Sequence, residues 1–266
     1  GAFCIMRTIA IMNNKGGVGK TTTAIAMADI LTRDYKKRVL LVDCDGQCNL
    51  TEFFLPDFDP DQSLTLHHIL TGTGEPLWSD NVEQIGDCLQ LLPASPDLYE
   101  LDLKAVLEFS GDRQSARLLD FVRAAQENGE ADFTIFDCAP GYTCASVAAM
   151  IAADDVVIPA GMDGFSFFGL QSMVRQLRAL HRTGVPVHIA GVLLTQWRAS
   201  DVVLQGEALL RQSTIPVFGQ VIRRTEKVPE STFDRRPVTQ YSRGSAASVD
   251  YRRWVQEYLG GVFDAL

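Results

Sequence analysis

Short runs that are apolar throughout recur along this chain, and segments with apolar residues three or four apart lie between them. Thr8–Met12 (TIAIM) is the first run, and glycines follow it. Thr21–Leu31 (TTTAIAMADIL) then has the spacing of a helix, and Arg38–Val42 (RVLLV) that of the next strand. Further strands are predicted at Leu89–Leu92, Phe133–Phe136, Val156–Pro159, Ile189–Leu194 and Val217–Ile222, and helices at Ser115–Gln126, Phe168–His181 and Val202–Gln212. Strands without a polar face belong in a sheet covered on both sides. Strand alternating with helix predicts an α/β fold, a doubly wound, mostly parallel sheet with helices on both faces. Leu55–Gln62 and Thr71–Asp80 are rich in Pro, Gly and Asp and are expected as inserted loops. No repeat, low-complexity tract or linker interrupts the chain. Residues 6–266 are therefore expected to form a single domain, with residues 1–5 a remnant of expression cloning.

Composition adds limits. The chain has 266 residues, 46% apolar and 21% charged, as expected of a globular protein with a sizeable core. No apolar run approaches the roughly 18–20 residues needed to span a bilayer, and the start lacks a secretory pattern. None of the six cysteines forms a C-x-x-C pair, which points to reduced thiols and a cytoplasmic setting. His67 and His68 are adjacent in a predicted helix and point apart, so they offer no metal site. Net charge is −9, yet from Arg223 to Arg253 eight basic residues face four acids. That segment is positive while the rest is strongly negative, so the total charge does not exclude phosphate-bearing partners.

The chemistry begins at Lys15-Gly16-Gly17-Val18-Gly19-Lys20-Thr21-Thr22. This is a variant of the phosphate-binding loop, with Asn14 where the usual first glycine falls. Gly16, Gly17 and Gly19 let backbone N–H groups converge on phosphate oxygens, and the helix that follows adds its positive end. Lys20 is placed to reach the β- and γ-phosphates, and Thr21 to ligate Mg²⁺. Two predicted strands end in acids: Phe133–Asp137, and Leu40–Asp45 with Asp43 and Asp45 two residues apart. An acid at a strand end beside such a loop suits a metal or an attacking water.

KGGVGKTT (Lys15–Thr22), LLVDCDGQCN (Leu40–Asn49), FDCAPG (Phe136–Gly141), ADDVVIPA (Ala153–Ala160) and GVLLT (Gly191–Thr195) stand in that order across nearly the whole chain. Together they resemble the ParA/MinD family of deviant Walker A ATPases, and within it the short ParA/Soj partition type. No helix-turn-helix stretch precedes the first strand, so operator-specific binding is not expected. The resemblance gives Lys15 a distinct part, reaching across a nucleotide-sandwich dimer to the partner's ATP. It implies that Asp45 orients the attacking water, that Asp43 supports the metal shell and that Asp137 holds Mg²⁺ through water. Two departures are Gly46, where the family often has proline, and Ala139, where it has a second proline. ATP and Mg²⁺ are the implied cofactors.

The partition type further implies an ATP-dependent homodimer that binds DNA without sequence preference and sits on the nucleoid in its ATP state. Arg224, in Val221–Arg224, matches a DNA-contacting position. Arg198, Arg223 and Lys227 are the accompanying candidates. A ParB-like or cargo-bound adaptor would stimulate a slow hydrolysis. The alternative is a MinD-like membrane-associated positioning ATPase, which needs an amphipathic C-terminal helix; the pair Gly260-Gly261 is expected to interrupt the last helix. A cluster-carrying relative would need cysteines at the dimer axis, and Cys138 and Cys144 are the nearest candidates. A dimerising scaffold without turnover finds no support, because every group named for hydrolysis is present.

Overall fold

A computed structural model of the chain describes residues 6–74, 80–108, 112–162, 164–182 and 184–264. Seven strands form one sheet in the order β3-β4-β2-β5-β1-β6-β7. They are β1 (Arg7–Ile11), β2 (Val39–Cys44), β3 (Glu83–Gly86), β4 (Leu89–Leu92), β5 (Phe133–Cys138), β6 (Asp155–Ala160) and β7 (Ile189–Leu194). All neighbours run parallel except the edge hairpin β3–β4. β3 escaped the sequence pattern because its residues are mostly exposed and carry no apolar run.

The sheet has a core on each side, and successive residues of a strand enter opposite cores. Ile9, Leu41, Ile135, Val157 and Leu193 pack beneath α1 (Lys20–Arg33) and α11 (Ala246–Asp264). Ala10, Val42, Phe136, Val156 and Val192 pack beneath a second helical layer. That layer includes α3 (Leu66–Thr71), α4 (Asp97–Glu108), α5 (Asp112–Asn128), α6 (Cys144–Ala152) and α7 (Gly164–Arg182). This two-sided burial is why the central parallel strands carry apolar residues on both faces. Short α2 (Asn49–Phe54) follows β2. Beyond β7 come α8 (Asp201–Gln212), α9 (Lys227–Phe233) and α10 (Val238–Tyr241).

Two expectations are corrected. Val217–Ile222 is extended but is not a strand of the sheet. It touches β7 at its two ends, through a lone bridge of Val217 to Val192 and a bond from Ile222 N to Leu194 O, and the next residue, Arg223, bridges Trp197. Its middle is drawn off by α11: the N–H groups of Gly219 and Gln220 donate to the Glu257 carboxylate at 2.6 and 2.9 Å. Nor do Gly260 and Gly261 interrupt the last helix, since α11 runs through them to Asp264. Two helical glycines cost about 2 kcal/mol, and the buried side chains of Tyr251, Trp254, Val255, Tyr258 and Leu259 outweigh that. The Leu55–Gln62 loop is as expected, held by turns from Leu55 O to Phe58 N and from Asp59 O to Gln62 N. Part of the Thr71–Asp80 loop lies outside the described residues, as do residues 1–5.

Among the described residues no helix is long and apolar enough to cross a membrane.

Candidate nucleotide-binding site

The carboxyl ends of β1, β2, β5 and β7 gather the predicted groups into one crevice, the place where open α/β sheets bind ligands. The loop after β1 turns through Gly17 at φ 72° and Gly19 at φ 85°, left-handed values that only glycine takes without strain. It is pinned from both sides. Asn13 Nδ2 donates to Pro159 O at 2.7 Å, while Asn13 Oδ1 accepts from Lys15 N at 2.9 Å. From the end of β7, Thr195 Oγ1 donates to Val18 O at 2.8 Å and Gln196 Nε2 to Gly17 O at 2.6 Å. Lys15 is exposed, whereas Lys20 is buried and its Nζ donates to Lys15 O at 3.0 Å. Burial lowers the Lys20 pKa, and Asp137, Cys138 and Asp45 oppose that shift. Thr21 and Thr22 follow Lys20 in the first turn of α1.

The three acids differ in what surrounds them. Asp43 and Asp137 are register partners on adjacent strands. Asp43 is fully engaged: Oδ2 accepts from Thr51 N at 2.8 Å and Thr51 Oγ1 at 2.7 Å, and Oδ1 accepts from Asp45 N at 3.1 Å. Burial still pushes its pKa up to about 6. Asp137 accepts a hydrogen bond from Thr21, but its Oδ1 is buried without a partner. Burial, with Asp43 close by, pushes its pKa up to about 8. A buried carboxylate oxygen without a donor, beside a threonine hydroxyl, offers the hard oxygen ligands that a divalent cation takes. The residues therefore fit Mg²⁺ at Thr21 and Asp137. Asp45 lies one residue beyond β2 and accepts from Gln47 N at 3.0 Å.

A cavity of about 360 Å³ opens beside the first turn of α1, lined among others by Gly19, Thr22, Thr195, Gln196, Arg224 and Tyr251. Phosphate loop, strand-end acids and the neighbouring cavity are the features that a nucleoside triphosphate and its metal would require. Comparison with known proteins agrees. A family model described as an AAA domain matches residues 6–188. The chromosome partitioning protein ParA of Caulobacter vibrioides is 31% identical over 257 residues, 96% of this chain and 94% of that protein. The chromosome-partitioning ATPase Soj of Thermus thermophilus is 32% identical over 263 residues, 98% of each. The chain belongs to the ParA/MinD family of ATPases.

Solved structures share its fold. An ATP complex of a Cyanothece McdA variant superposes with a TM-score of 0.82 at 23% identity, over 96% of this chain and 97% of that one. The septum site-determining protein MinD of Pyrococcus horikoshii, complexed with Mg-ADP, superposes with a TM-score of 0.75 at 22% identity, over 97% and 98%.

Within this ParA-like chain the four DNA candidates are sorted by their partners. Arg223 is held by Asp250: Nε donates at 2.8 Å to Oδ2 and Nη2 at 2.8 Å to Oδ1. Lys227 bonds Glu230 at 2.6 Å. Arg198 and Arg224 are exposed, and their side chains make no ion pair among the described residues. The backbone brings them together, since Trp197 N donates to Ile222 O and Arg224 N to Trp197 O, each at 2.9 Å. Trp197 itself packs at half burial and donates Nε1 to Glu207 at 2.8 Å.

The sequence pattern missed Asn13, Thr51, Thr195 and Gln196. Asn13 and Thr195 each sit at the carboxyl end of an apolar strand, where a lone polar residue is a weak sign of a site. Thr51 and Gln196 carry no such sign, because their partners are distant in sequence or belong to the glycine loop's own carbonyls.

Proposed function

We propose that this ParA-like ATPase binds ATP and Mg²⁺, closes as a nucleotide-sandwich dimer, and in that state holds DNA without sequence preference to segregate or position a cargo. One observation carries the DNA part. The segment that grips the phosphate loop, Thr195–Gln196, continues directly into Trp197–Arg198, which pairs with Arg223–Arg224. Arg224 also lines the cavity beside α1. A change in the loop on nucleotide binding therefore acts on the backbone that carries both unpaired arginines.

In this reading Lys15 reaches the partner's phosphates, Lys20 the chain's own, and Asp45 orients the attacking water. Thr21 and Asp137 hold the metal, which would supply positive charge to the phosphate oxygens. Asp43 acts on that shell by fixing Asp45 and Thr51. A lysine supplied in trans makes hydrolysis depend on dimerisation and makes ATP the link between subunits. Two copies double the phosphate contacts, and each contact contributes about 0.9 to the slope of log affinity against log salt. A ParB-like or cargo-bound adaptor would stimulate hydrolysis and end the nucleoid-bound state.

The test is binding of a non-specific duplex with no nucleotide, ADP and ATP, over a salt series, for wild type and Arg224→Ala. Binding that needs ATP, falls with salt and weakens in the variant is expected. Dimerisation with ATP but no binding in any state would overturn the DNA reading. Loss of ATP affinity in Arg224→Ala would place that residue in the nucleotide cavity instead.

A further inference from the structure

Helix α4 touches two of the strand-end loops at once. Tyr99 and Asp102 stand three residues apart on it and so share a face. Leu98 and Leu101 beside them are buried and fasten the helix to the core, while Leu103 is exposed.

Tyr99 covers the loop after β2. A Cβ built on Gly46 would stand 2.9 Å from Tyr99 Cε2 and 3.0 Å from Cζ, closer than real side chains pack. Glycine at 46 therefore admits the Tyr99 ring against the backbone next to Asp45. Gln47 Nε2 donates to the Tyr99 hydroxyl, and Gln47 N donates to Asp45 Oδ1 at 3.0 Å. The contacts run without a break from α4 to the Asp45 carboxylate.

Asp102 reaches the loop after β5. Its Oδ1 accepts from Cys144 N at 2.6 Å, at the start of α6. That loop holds Pro140, whose Cγ lies 4.0 Å from the position of a Cβ on Gly16, and Tyr142, which hydrogen-bonds Asn14. One face of α4 thus ties the loop of Asp45 to the loop that follows Asp137 and flanks the phosphate site.

We propose that Tyr99 is the positioning residue for Asp45, and that α4 is the strut that keeps the two loops in fixed relation during hydrolysis. The proposal rests on the reading of Asp45 as the group that orients the attacking water. A displacement of about 1 Å in such a group can cost about a hundredfold in rate, so a tether that restrains the loop by part of that distance has a measurable effect. Tyr99 touches neither phosphate loop nor cavity, so its loss acts on the chemical step and spares nucleotide affinity.

The experiment is single-turnover ATP hydrolysis by the full chain, with affinity for a fluorescent ATP analogue and thermal melting measured alongside, for wild type, Tyr99→Phe, Tyr99→Ala and Asp45→Asn. Tyr99→Ala is expected to slow hydrolysis about tenfold with affinity within about twofold of wild type. Tyr99→Phe keeps the ring over Gly46 and loses only the bond from Gln47, for a slowing of about threefold. Because this variant keeps the packing, it decides the matter even if the alanine variant melts early. Wild-type hydrolysis in both Tyr99 variants, with Asp45→Asn inactive, would overturn the proposal and leave the Asp45 reading intact. Wild-type hydrolysis by Asp45→Asn would overturn both. Affinity that falls in step with rate would overturn the positioning role in favour of a general loosening of the site.

Discussion

Asp137→Asn should make the metal-free protein more stable at neutral pH while removing most of its response to Mg²⁺. The carboxyl is pushed from 3.8 up to about 8, chiefly by burial, with Asp43 and Asp45 adding to the shift and Thr21 and Lys20 opposing it. An unfolded chain ionises this group near its ordinary value, so at pH 7 the folded state carries a penalty for the proton it must keep or the charge it must bury. The span from 3.8 to 7, at about 1.4 kcal/mol per pH unit, amounts to about 4 kcal/mol. Asparagine keeps an oxygen for Thr21 but sets an amide near Oδ1, which is buried without a partner. An unsatisfied donor there costs about 1–3 kcal/mol, leaving a net gain of about 1–3 kcal/mol. For a chain of this size that is a rise of about 3–10 °C in melting temperature. The sign follows from the direction of the shift. Because the folded pKa lies above the unfolded one, the stability this group contributes is present below pH 3.8 and lost as pH rises through about 8. The gap between variant and wild type should therefore widen from pH 5 to pH 8. Thermal melts of both proteins over that range, with chelator and then with Mg²⁺, are the assay. If Thr21 and Asp137 hold Mg²⁺ as proposed, the ion would bind the folded state and raise the wild-type melting temperature more than the variant's. A variant that melts at or below wild type at pH 8, or a gap that does not grow with pH, would refute the reasoning.

Thr195→Val removes the hydroxyl that donates to Val18 O and leaves a buried carbonyl unpaired; calorimetric ATP affinity should fall about five- to tenfold, and an unchanged affinity would show that the clamp does not shape the loop. Arg223→Ala and Arg224→Ala should separate cleanly: Arg223 pairs both oxygens of the buried Asp250, so its loss should cost about 2 kcal/mol in urea denaturation, while Arg224→Ala leaves the denaturation midpoint unchanged. Glu257→Ala frees the N–H groups of Gly219 and Gln220, and hydrogen exchange at those two amides should accelerate at least tenfold with little change in β7.

The phosphate loop was legible in the sequence because its chemistry is local. Gly16, Gly17, Gly19, Lys20 and Thr21 must be contiguous for one turn to aim several N–H groups and a lysine at the same phosphate. The sheet was legible for a similar reason: burial on both faces gives the parallel strands mostly apolar runs with no polar face, a pattern read within six residues. Asp43, Asp45 and Asp137 could be named as strand-end acids, and the basic segment from Arg223 to Arg253 could be counted. Sequence could not rank those groups. Asp43 and Asp137 both end apolar strands, yet one is satisfied by Thr51 and Asp45 and the other keeps an oxygen without a donor. Arg223 and Arg224 are neighbours, yet Asp250 takes one and leaves the other exposed. Val217–Ile222 has the composition of a strand, and Glu257 draws its middle out of the ladder. Each of these outcomes depends on a partner or a burial that the chain brings together only on folding. Residue type and spacing determined which chemistry this protein carries. The tertiary structure decided which of those groups are held and which are left free to act, because hydrogen-bond satisfaction and desolvation are properties of the packed site and not of the local sequence.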